Sequence, residues 1–186
     1  VLRTGRAVQR LERFHQQAIL IAFPSASATH PLDETAEAVS AILGGNNSRI
    51  YWNIVQKGLS PRAGAFREEY GDFGLLVLFG LCEPENAGRL TEAMREEAEK
   101  LVRDGAEPRE VDRVKNLRRT SLAVESEAPF YRLGQIADDV DYLGAPRSPQ
   151  ERMAAVEAIS PETIRAYLRE FPITGDGFLV SVGPAT

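Results

Sequence analysis

The side chains that could do chemistry are few and scattered. The 186 residues hold two histidines, His15 and His30, and one cysteine, Cys82. Hydrolysis assisted by a helix-borne zinc ion needs two imidazoles on one helical face with a carboxylate as base, spaced HExxH or HxxEH. Neither spacing occurs: His15 stands beside an apolar run and His30 in a loop, and nothing makes them share an ion. Both read as ordinary surface or loop histidines. Ser60 and Ser121 have no histidine at a nucleophile motif, which leaves a hydrolase triad without support. Asp72-Phe73-Gly74 spells a magnesium-binding tripeptide, but the phosphate loop, strand lysine and catalytic loop that must accompany it are missing. Gly71-Asp72 reads instead as a turn. The acid pairs Glu96/Glu97 and Asp138/Asp139 sit among basic residues at helical spacing and read as solvated, ion-paired faces. The sequence assigns no catalytic residue and no metal ligand.

The bulk numbers bound the rest. A chain of this length can bury one substantial core without disulfides, and 43% apolar with 26% charged residues describes a soluble globular chain. The net charge of -5 comes from mixed acidic and basic residues with no basic face, so nucleic acid is not an expected partner. Cys82, between apolar neighbours, reads as a buried packing thiol and precludes an internal disulfide. No apolar run is long enough to span a membrane. The chain opens at Val1, without Met and without a signal-peptide pattern, which reads as a fragment of a longer chain in an undetermined compartment.

The elements that would position any site follow from periodicity. Gln16 to Phe23 predicts a strand covered on both faces and closed by Pro24. Leu32, Ala36, Val39 and Leu43 recur at helical spacing behind Asp33 and Glu34, and Gly44-Gly45 ends that helix. Ser48 to Lys57 predicts a shorter helix with Ile50, Ile54 and Trp52 turned inward. Arg62 to Glu69 and Gly74 to Cys82 predict two strands, the second in a sheet interior. Helices follow from Pro84 to Gly105, from Pro108 through Val111, Val114, Leu117 and Leu122, and near Phe130 to Leu143. Ser148-Pro149-Gln150-Glu151 and Ser160-Pro161-Glu162-Thr163 are two further helix starts, and Phe178 to Val182 is a last strand. Segregated blocks of strands and helices give an α+β fold, expected as one domain over residues 1–186.

The landmarks taken together resemble the pitrilysin or insulinase family of zinc peptidases. They are the strand Arg13 to Pro24, then Ile42-Leu43-Gly44-Gly45-Asn46-Asn47-Ser48-Arg49-Ile50, then Lys57-Gly58-Leu59. Pro84-Glu85-Asn86, Asp104-Gly105-Ala106 with Glu110, Arg113 and Lys115, and Ile159-Ser160-Pro161-Glu162 complete the set. Relatives include the mitochondrial processing peptidase and the core subunits of the respiratory cytochrome complex. The resemblance implies a two-layer fold, a mostly antiparallel sheet covered by a block of helices. It also implies paired α/β domains closing around a chamber, with the HxxEH zinc site in the first domain of the active half.

This chain resembles the second, non-zinc-binding domain of a half. Partner halves of the family carry an arginine and a tyrosine that hold substrate; Val55 and Pro61 stand near those positions here, and neither can neutralise an oxyanion. Lys57 and Arg62 remain as candidate contacts with substrate in the chamber, against the plainer reading of exposed charges flanking a strand. The implied role is a non-catalytic, substrate-enclosing domain, with zinc, peptide and an HxxEH domain supplied by the same chain or a partner subunit. An inactive scaffold subunit, or an unrelated small-molecule-binding α+β module, are the alternatives.

Overall fold

The computed structural model describes residues 4–184, so Val1 lies outside the described residues. Five strands, β1 (Gly5–Arg10), β2 (Gln17–Ser25), β3 (Arg62–Glu69), β4 (Gly74–Cys82) and β5 (Phe178–Gly183), form one sheet in the order β1-β5-β2-β4-β3. Only β1 and β5 run parallel; every other pairing is antiparallel. The register Leu20↔Phe79, Phe66↔Val77 and Leu20↔Val180 puts these side chains on one face, and leaves Ile19, Ile21, Phe23, Leu76 and Leu78 on the other.

That second face carries the helices. In α1 (Asp33–Leu43) the acidic pair Asp33 and Glu34 sits in the first turn, where the helix dipole favours it, and Ala36, Val39, Ile42 and Leu43 are fully buried. Gly44 stops α1 directly against β3: a Cβ there would stand 2.2 Å from the Ala65 backbone nitrogen, so the contact admits only glycine. A 3-10 turn at Pro84–Asn86 leads into α2 (Ala87–Asp104), whose Leu90, Met94, Ala98 and Leu101 make one buried stripe. Each such side chain contributes about 1.5–3 kcal/mol on leaving water. α3 (Pro108–Glu127) starts with a reciprocal Glu107–Glu110 cap, and α4 (Pro129–Leu143), α5 (Pro149–Glu157) and α6 (Pro161–Glu170) complete the layer. The predicted Ser148/Glu151 box and Ser160 cap both form. Ser25 and Tyr167 hydroxyls meet at 2.8 Å in the core, tying α6 to β2.

The architecture is therefore the α+β, two-layer arrangement that the sequence predicts, with four corrections. β1 has no counterpart in the periodicity reading: all six of its residues are exposed, so no apolar pattern marks it, and it exists only by pairing with β5. β2 runs through Pro24 to Ser25 and is covered on one face alone, since Ala18, Leu20 and Ala22 stay partly open. The Ser48 to Lys57 segment ends in a π-helical turn, Tyr51–Val55, which buries Ile50 and Ile54 but leaves Trp52 54% exposed. Leu117 also faces solvent, because α3 packs through Val111, Val114 and Leu122. Cys82 is buried, as expected of a packing thiol.

Candidate functional site

The two helix ends nearest the π-helical turn build a mixed-charge cleft of about 550 Å³. Arg49 anchors it, donating from Nε and Nη2 to the two Glu110 carboxylate oxygens at 2.7 Å and from Nη2 to the Gly105 carbonyl at 2.8 Å. A planar guanidinium suits this two-point grip, and the geometry explains why Ser48-Arg49 and Gly105 with Glu110 occur in one chain. Burial raises the cost of the Glu110 charge, but Arg49 outweighs it and holds the carboxyl below its ordinary value. Glu97 is buried beside the same cleft, accepting from Asn53 Nδ2 and Lys100 Nζ at 3.0 Å. Of the pair Glu96/Glu97, then, only Glu96 lies on a solvated face.

Lys57 and Arg62 lie on either side of a short turn, both exposed. Ser60 fixes that turn by donating to the Leu81 carbonyl at 2.6 Å and accepting from the Arg62 N–H. Arg62 begins β3 on the open sheet face, its guanidinium over the Phe79 ring at 5.9 Å from the centroid. With Leu20, Phe66, Phe79 and Leu81 it lines a groove of about 350 Å³. Lys57 is not among the lining residues. Val55 is partly buried and Pro61 exposed.

A second charge network holds the helices together. Arg67, with its side chain 2% exposed, donates to Asp33 Oδ1 at 2.6 Å and to the Ala26 carbonyl at 2.9 Å, and also pairs with Glu69. Burial pushes the Asp33, Glu37 and Glu69 carboxyls up, with Arg67 working against the rise at each. Asp139, 1% exposed, accepts from Arg147 Nε and the Arg147 N–H at 2.9 Å and pairs with Arg152. The expectation of a solvated Asp138/Asp139 pair is thus corrected: Asp139 is the buried latch of α4. α4 consequently turns its polar side inward and leaves Phe130, Leu133 and Val140 exposed.

The histidines do not meet. His15 is exposed at the entry to β2. His30 Nε2 faces Glu170 Oε1 at 3.1 Å and its Nδ1 accepts the Leu32 N–H at 3.1 Å, so both ring nitrogens are engaged. No group of three or more His, Cys, Asp or Glu among the described residues could hold a metal ion, and these residues do not fit a zinc centre. No helix among them is long and apolar enough to cross a membrane.

Known proteins place this layout. The chain is 22% identical over 178 residues to an uncharacterized zinc protease, YmxG, of Bacillus subtilis (strain 168), a match covering 95% of this chain and 43% of that protein. A protease from Helicobacter pylori superposes with a TM-score of 0.85 at 17% identity, over 95% of this chain and 43% of that one. A peptidase M16 inactive domain from Pseudomonas fluorescens gives 0.83 at 14%, over 98% and 44%. A chain of complex III2 from Candida albicans gives 0.84 at 20%, over 97% and 46%. These likenesses below 25% identity show the shared fold, and the chain spans less than half the length of each relative. Residues 2–118 match the sequence profile described as the peptidase M16 inactive domain, more than half of the chain. With that match, the pitrilysin-type resemblance resolves into membership: the chain belongs to the peptidase M16 inactive domain family.

Proposed function

We propose that residues 1–186 act as one non-catalytic unit that encloses peptide substrate beside an HxxEH catalytic domain of a zinc metallopeptidase. That domain belongs to the same polypeptide or to a partner subunit, and it supplies the zinc. The observation that carries the reading is membership of an inactive-domain family in a chain whose only two histidines are separated, one with both ring nitrogens engaged. The YmxG relative, named a zinc protease and more than twice as long, supports a catalytic domain elsewhere in the parent. Lys57 and Arg62, exposed beside the fixed Ser60 turn, are the cations proposed to meet the peptide.

The experiment uses the assembled peptidase. Lys57→Glu combined with Arg62→Glu is expected to raise KM for peptide about 5-fold at unchanged kcat, the scale of exposed charge contacts made equally in ground and transition states. An unchanged KM would remove both residues from substrate binding. A parent complex that contains no HxxEH motif and cleaves no peptide would instead favour the inactive scaffold reading.

A further inference from the structure

The mixed-charge cleft anchored by Arg49 shares no lining residue with the groove that holds Arg62. Residues 47–53, the end of α2 and the start of α3 form its walls, all within the helix layer. Its acids are already paired with cations of the chain itself. Glu97 accepts from Lys100 at 3.0 Å, and Asp104 takes both points of the Arg103 guanidinium at 2.9 Å. Glu107 meets Arg109 at 2.7 Å, and Glu110 is gripped by Arg49. The lining therefore has no unpaired carboxylate to offer a cationic ligand.

Arg113 breaks this balance. It makes no ion pair among the described residues and donates only to backbone carbonyls, from Nη2 to Ala41 at 3.1 Å and from Nη1 to Asn46 at 3.4 Å. Those carbonyls hold the side chain at the end of α1, but as dipoles they leave its full charge without a counter-ion. Burial pulls the guanidinium below its ordinary value, and Glu110, held by Arg49, only partly offsets this. The unmatched charge of the cleft is thus one cation, and a single anion is its complement.

Trp52 gives the cleft a flat apolar wall. The π-helical turn rotates its ring out of the core, edge-on to Tyr51 with centroids 5.2 Å apart, and leaves it half-exposed. Irregular helical turns of this kind recur at functional sites. Asn53 gives its amide N–H to Glu97, which leaves its Oδ1 and the Trp52 indole N–H without partners among the described residues. An acceptor and a donor lining one cleft match the N–H and C=O of a peptide unit.

We propose that this cleft binds a single carboxylate joined to a flat apolar group, as at the carboxyl end of a peptide whose last residue is aromatic. Arg113 takes the carboxylate, Trp52 stacks on the ring and Asn53 Oδ1 accepts the last peptide N–H. The cleft, about 550 Å³, lies within the range of roughly 300–1,000 Å³ typical of such sites. The site does not depend on the peptidase reading, and loss of either leaves the other standing.

Trp52 is the only tryptophan of the chain, so its fluorescence reads the cleft directly. The probes are acetyl-Ala-Ala-Phe with a free carboxylate, the same peptide ending in a carboxamide, and acetylphenylalanine, each titrated into the purified chain. The free acid is expected to change the emission and to bind at least ~10-fold more tightly than the amide, as a charge-assisted contact does. Arg113→Gln keeps an amide that can donate to a carbonyl and is expected to erase that preference, with circular dichroism to confirm folding. Trp52→Ala, followed by calorimetry, is expected to weaken binding about 10-fold. An unchanged emission up to roughly 10 mM acid would overturn the proposal, as would equal binding of acid and amide to the wild-type chain. A folded Arg113→Gln chain that still prefers the acid would overturn it too; should that variant not fold, the acid–amide comparison on the wild-type chain decides. Tighter binding of the tripeptide than of acetylphenylalanine assigns the site to a peptide terminus, and equal binding assigns it to a small aromatic acid.

Discussion

Replacing Arg67 by alanine is expected to destabilise the protein by about 3–5 kcal/mol, the cost of leaving buried charge without its partner. The guanidinium is nearly sealed from solvent and joins three elements: Asp33 at the start of α1, the Ala26 carbonyl after β2, and Glu69 at the end of β3. Without it, Asp33 and Glu69 lose the cation that offsets surroundings pushing both carboxyls up, and Arg147, 3.7 Å from Asp33 Oδ2, is the remaining cation on Asp33. For a chain of this size the loss corresponds to a fall in Tm of roughly 6–20 °C. Thermal unfolding checks it. The double variant Arg67→Ala, Asp33→Ala is expected to lose less than the sum of the two singles, because removing both partners removes the stranded charge.

Asp139→Ala is expected to cost about 3 kcal/mol or more and to act locally. One carboxylate holds the Arg147 N–H, the Arg147 guanidinium and Arg152, so its loss leaves Arg152 without a carboxylate and Arg147 with only Asp33, 3.7 Å away, and releases the loop between α4 and α5. Hydrogen exchange across residues 129–158 is the readout, with the sheet amides changing least. Burial opposes the Asp139 charge, but its hydrogen bonds win and its carboxyl sits below the ordinary 3.8. The sign follows: a depressed native pKa gives stability that is present above 3.8 and lost as pH falls through the native value. Wild-type α4 is therefore expected to loosen in acid, whereas the variant is loose at neutral pH.

These two residues also show where the sequence stops speaking. Apolar spacing located the earlier helices, the Ser-Pro caps located the starts of α5 and α6, and Pro and Gly marked other ends, because caps and apolar stripes are local. Apolar spacing could not decide which face of α4 points inward. Phe130, Leu133 and Val140 form the more apolar stripe, and the rule that apolar faces are buried would turn them inside. The tertiary network at Asp139 overrides that rule. β1 escaped for a related reason: its exposed Gly-Arg-Ala-Val-Gln-Arg has no periodicity, and its partner β5 is more than 170 residues away in the chain. Of the candidate site, the separation of the histidines was legible as missing spacing. The Arg49–Glu110 clamp was present only as two landmarks, since pairing across distant helices leaves no local trace.

We propose that this domain does no zinc chemistry by itself. The most direct measurement titrates the purified chain with zinc and assays peptide cleavage with and without chelator. No stoichiometric zinc and no chelator-sensitive cleavage are expected, because His15 and His30 stand apart and His30 is committed to Glu170 and Leu32. One zinc bound per chain, together with cleavage that a chelator abolishes, would contradict it.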